Sequence, residues 1–81
     1  MALVNPTLTQ RREALTQKVK EARAEWNHQK HIVEKEVRKA NPGIQWYEEM
    51  DLVEKDPRVQ VANARLLALC DAANIMGAEI D

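Results

Sequence analysis

The stretch that decides the fold is Lys35-Glu36-Val37-Arg38-Lys39-Ala40-Asn41-Pro42-Gly43. Proline cannot continue a helical hydrogen-bond ladder and biases the residue before it towards extended backbone, so Asn41-Pro42-Gly43 is a strong helix stop. Lys35, Arg38 and Lys39 stand in the last turns before it, where cations meet the negative end of the helix dipole. The chain therefore breaks near its midpoint, with a helix on either side.

Upstream, Asn5-Pro6 supplies a cap followed by proline at the first helical position. Thr7 with Gln10 offers a rival capping box one turn later. A helix over about residues 6–40 follows. Its stripe is Leu8, Leu15, Val19, Ala22, Trp26, Val33, Val37 and Ala40, diluted at Gln29. Downstream, Asp56-Pro57 repeats the capping device and opens a second helix over about 57–76. There Val59, Ala62, Leu66, Leu69, Ala73, Met76 and Ile80 alternate in steps of three and four. Leu67, Ala68, Cys70 and Ala72 widen that stripe, so this helix is expected to be covered on more than one side. Gly77 reads as a C-cap with a frayed end beyond it, or as a glycine inside a longer helix. Residues 41–56 are the connection, in which 44–55 forms a short helix or another ordered segment. The expected fold is a single all-α domain, a long antiparallel helical hairpin.

Lengths then bear on partners. A helix of about 34 residues spans about 50 Å and one of about 22 spans about 33 Å. Folded back from the turn, the second helix reaches only to about Lys18, leaving Leu8 and Leu15 without intrachain cover. A two-helix chain this small buries little against the entropy it loses, and oligomerisation is the usual remedy. Self-association is therefore expected, with Leu8, Leu15, Val59, Leu66, Leu69, Ala73 and Met76 as the combined core and self-association surface. The competing arrangement is a monomeric three-helix bundle closed by residues 44–55.

The 81 residues suffice for one small core. Cys70 is the lone cysteine, which removes an internal disulfide and suits a reducing cytoplasm. No apolar run approaches the length of a membrane span, and no secretory leader is legible at the start. Residues 1–40 hold nine Lys/Arg and five Glu, net +4; residues 41–81 hold three Lys/Arg and eight Asp/Glu, net −5. The simplest account is complementarity between the halves. Nucleic acid is a poor fit: Glu13, Glu21 and Glu25 interleave with the cations, the pI is about 6.1, and no recognised binding motif occurs.

Catalytic equipment is missing from the pattern. Glu25-x-x-His28-x-x-His31 drifts around the helix by roughly 60° at each step, so only adjacent pairs could share a metal. Solvated or packing histidines are the simpler account. Glu48-x-x-Asp51 resembles, loosely, half of the magnesium-binding signature of the all-helical nucleotide pyrophosphatases. The partner block is absent, since Glu34-x-Glu36 diverges by about 200° around the helix, and that reading is rejected. No nucleophile triad or phosphate loop is present. The chain is expected to be a non-enzyme without a cofactor.

Trp46 and Tyr47 follow the turn and stand beside Glu48, Glu49 and Asp51. Such aromatics either plug the open end of the hairpin or anchor a contact with another protein. The leading expectation is thus a small oligomeric adaptor or inhibitor, of the size and class of a phage or mobile-element accessory protein. Its partner contact would be Trp46, Tyr47, Glu48, Glu49 and Asp51. The alternative is an oligomer that binds a nucleotide or similar anion between subunits through Arg11, Arg12, Lys18 and Arg23.

Overall fold

The computed structural model describes residues 7–80. Three helices account for nearly all of them: α1 (Leu8–Ala40), α2 (Trp46–Lys55) and α3 (Pro57–Met76). The expected all-α hairpin is present, with α3 laid along α1 and α2 tucked beside the last turns of α1. The 44–55 segment thus takes its helical alternative. The Asn5-Pro6 start lies outside the described residues. Thr7 caps α1 through the rival device: its hydroxyl accepts from the Gln10 backbone N–H at 3.1 Å, and the Gln10 side chain accepts from the Thr7 N–H at 2.9 Å. Asp56 caps α3, accepting from the Arg58 N–H at 2.9 Å, with Pro57 in the first turn.

Two apolar clusters hold the helices together. Val33, Val53 and Val59 meet where all three helices converge, with Trp26 and Val37 packed against them. Val19, Ala22, Leu66, Ala73 and Ala78 form the second, flanked by Leu15, Trp26, Leu69, Cys70 and Ile80. Trp26 touches both clusters, which matches its place on the α1 stripe, and the Lys30 ammonium sits 4.4 Å from its ring centroid.

The length-mismatch expectation is corrected at Leu15, which packs into the second cluster instead of waiting for another chain. Two features close the gap. First, α3 begins level with Glu36, to which Arg58 donates at 3.1 Å, about one turn lower than a hairpin closed at Ala40. Second, residues 78–80 do not fray after Gly77. Gly77 takes φ 70° and ends α3 in a Schellman motif: the Ala78 N–H reaches the Ala73 carbonyl at 2.8 Å and the Gly77 N–H reaches Asn74 at 3.2 Å. Ala78 then buries against Ala73, and Ile80 packs on the same cluster.

That end is clamped from α1. The Arg12 Nε donates to the Met76 carbonyl at 2.7 Å, and the Thr16 hydroxyl donates to the Glu79 carbonyl at 2.6 Å. A guanidinium at the open carbonyls of a helix C-terminus satisfies both hydrogen bonding and the dipole. Leu8 stays 55% exposed.

Candidate functional site

What lies inside is small and what lies outside is large. Among the described residues the buried apolar set is four valines, four alanines and Leu66. The exposed set contains Trp46, Tyr47, Met50, Leu52, Val61, Leu67 and Ile75. These fall on two surfaces, the start of α2 and the outer side of α3.

The α2 surface begins at a turn that forces the chain round. Asn41 closes α1, Gly43 takes φ 84°, a backbone region open to glycine, and the Ile44 N–H bonds to the Asn41 carbonyl at 3.1 Å. Trp46 and Tyr47 then open α2 as an edge-to-face pair, ring centroids 5.8 Å apart and planes at 86°. Trp46 is 69% exposed and Tyr47 56%, so the plug reading of these aromatics does not hold. Trp46, Met50 and Val53 recur at spacings of four and three, which places them on one row, yet only Val53 is covered. The row runs past the packing that α1 and α3 supply.

The acidic residues divide. Glu49 is half-buried and paired with the Arg38 guanidinium, an interaction that holds the arginine above its ordinary pKa. Asp51 pairs with Lys55 at 2.8 Å within α2. Glu49 is thereby drawn into local structure, whereas Asp51 stays exposed beside its partner lysine. Glu48 is exposed and makes no ion pair among the described residues.

A second charged cluster, not anticipated from sequence, pins the α2–α3 corner. Arg58 donates to Glu36 on α1 and to Asp56 at the cap of its own helix. These hydrogen bonds hold the Glu36 and Asp56 carboxyls below their ordinary pKa values. The only sequence sign was the charge asymmetry between the halves.

The basic side chains proposed for an anion do not converge. Arg12 is committed to the α3 carbonyls. Arg11 and Lys18 share one face of α1, whereas Arg23 lies about 120° from Arg11 around the helix. An open groove of about 540 Å³ runs between α1 and α3, with Glu25, Gln29, Val61 and Arg65 on its walls. None of the four α1 cations lines it. His28 is exposed and Glu25 accepts from Gln29 at 2.8 Å. Among the described residues no three His, Cys, Asp or Glu gather into a set able to hold a metal ion. The core half of the expected surface lies within the chain: Val59, Leu66 and Ala73 are buried, and Leu15, Leu69 and Met76 are half-buried.

Fold and surface together define a class, an elongated helical hairpin with two uncovered apolar surfaces. Comparison with protein families, with curated proteins and with solved structures finds no match to this chain. No helix among the described residues is long and apolar enough to cross a membrane.

Proposed function

We propose that this chain is a non-enzymatic interaction protein, an adaptor or inhibitor that docks onto another protein through the start of α2. The observation that carries the reading is the open row of Trp46 and Met50 with Tyr47 beside it. Large, stiff aromatic side chains left in water at a helix start are costly to the free protein, and they supply contact area at small entropic cost when covered. Glu48 stands at the rim of this patch, so the complementary surface is an apolar pocket edged by Lys or Arg.

The test is capture of a partner from a bacterial lysate on the immobilised chain, repeated with Trp46→Ala and with Tyr47→Ala. Both side chains are exposed, so helix content should stay unchanged by circular dichroism. A hot-spot aromatic carries about 2 kcal/mol or more, so the affinity for the captured protein should fall at least about 30-fold. Equal capture by the wild type and both variants would remove α2 as the docking surface.

A further inference from the structure

We propose that α2 is a hinged strap, which lifts from the hairpin and unwinds as one unit while α1 and α3 stay paired. Little holds it down. Val53 is its one buried residue, while Trp46, Tyr47, Met50 and Leu52 are exposed. With 10 residues it falls below the roughly 12–15 at which an isolated helix becomes even marginal in water, so its order depends on its docking. Gln45, at the N-cap, gives no side-chain hydrogen bond to the first turn. The Arg38–Glu49 ion pair is the one side-chain tie from α2 to another helix among the described residues, and its arginine is largely exposed. An ion pair open to water contributes little.

The hairpin closes without α2. The cluster of Val19, Ala22, Leu66, Ala73 and Ala78 is drawn from α1, α3 and the residue after Gly77. Arg58 pins the start of α3 to Glu36 of α1, and Arg12 and Thr16 hold its end. The strap has a joint at each end. Gly43, at φ 84°, precedes it, and Asp56, in extended backbone at φ −66° and ψ 129°, follows it. The Asp56 carboxylate caps α3, accepting from the Arg58 N–H, so α2 can unwind as far as Lys55 with that corner intact. Lifting it withdraws Val53 and uncovers Val33 and Val59. One consequence rests on the docking role given to Trp46 and Met50. They share a row with Val53, so a protein that covers them also holds the strap closed, and its apparent affinity scales with the closed share.

Amide hydrogen exchange of the free full chain, read residue by residue, tests the strap without any partner, so its result stands apart from that of the capture experiment. Residues 50–55 should be protected at least about 100-fold less than residues 66–73, and to a common level, because they exchange through one shared opening. Val19→Ala loosens a cluster that the lifted and the closed forms both keep. It should lower protection of 66–73 by about 10-fold and leave that of 50–55 unchanged. Val53→Asp removes the anchor. Residues 50–55 should then exchange within about 10-fold of an unstructured chain, while 66–73 stay protected at least about 100-fold. Equal protection of the two segments in the wild type overturns the proposal, as does a Val19→Ala loss shared by both. Protection of 66–73 that vanishes with that of 50–55 in Val53→Asp overturns it as well.

Discussion

On its inner side α3 presents Val59, Ala62, Leu66 and Ala73; on its outer side it presents Val61, Ala64, Ala68, Ala72 and Ile75. Both rows follow the helical period and both mix alanine with branched residues. The first row is buried against α1, while the ends of the second are 71% and 87% exposed. Periodicity reports that a face is apolar. Which neighbour covers that face is a separate matter, set by where the rest of the chain runs. One helix here carries two such faces and the chain supplies only one partner for them.

The largest test of that difference is a matched truncation. Leu66→Ala should cost about 2–4 kcal/mol, because it opens a cavity between α1 and α3 in a core with few large side chains. Val61→Ala, measured at dilution, should stay within about 0.5 kcal/mol of the wild type. Denaturant titration of both variants compares the two rows directly, and equal losses would erase the distinction. A matched enlargement sharpens it. Ala73→Leu should overpack the seam by about 1–3 kcal/mol, whereas Ala68→Leu should leave the dilute chain's melting temperature unchanged.

The end of the inner row offers a smaller effect. Gly77 holds φ 70° and an added Cβ would sit at ordinary contact distance, 3.5 Å, from the Arg12 guanidinium. The penalty of Gly77→Ala is therefore one of backbone conformation, about 1–2 kcal/mol. Hydrogen exchange at Ala78, whose N–H closes the Schellman motif, should speed up in that variant. Unaltered protection would show that Arg12 and Thr16 fix this end without the left-handed turn.

The smallest effect is electrostatic, at the corner where the inner row starts. Arg58 lowers the Glu36 and Asp56 pKa values from their ordinary 4.5 and 3.8. Carboxyls depressed in the folded state contribute stability above their unfolded pKa values and lose it as the pH falls through the folded ones. The melting temperature should decline more steeply below about pH 4.5 in the wild type than in Arg58→Ala, and added salt should shrink the gap. Parallel curves would mean that this exposed cluster contributes nothing measurable.

Much of the architecture was legible beforehand because it rests on local chemistry. The stop at Asn41-Pro42-Gly43, the Thr7–Gln10 box and the Asp56-Pro57 cap each act within a few residues, and the buried row of α3 was legible from Val59 to Ala73. The candidate site was legible only in part. Trp46 and Tyr47 stood out by type, but their exposure depends on α1 and α3 stopping short of them. Glu49 is tied to Arg38, and Arg12 to the α3 carbonyls.

The amino-acid order alone determined where helices start and stop and which of their faces are apolar, since caps, breakers and period are properties of neighbouring residues. Tertiary structure alone decided that Leu15 is covered, that the tail after Gly77 is held, and that the aromatics at α2 and the outer strip of α3 are left open. Those outcomes depend on the level at which α3 joins α1, a matter of one helical turn that arises from packing at Val33, Val53 and Val59. No local rule contains that distance, because it is set by side chains that lie far apart along the chain.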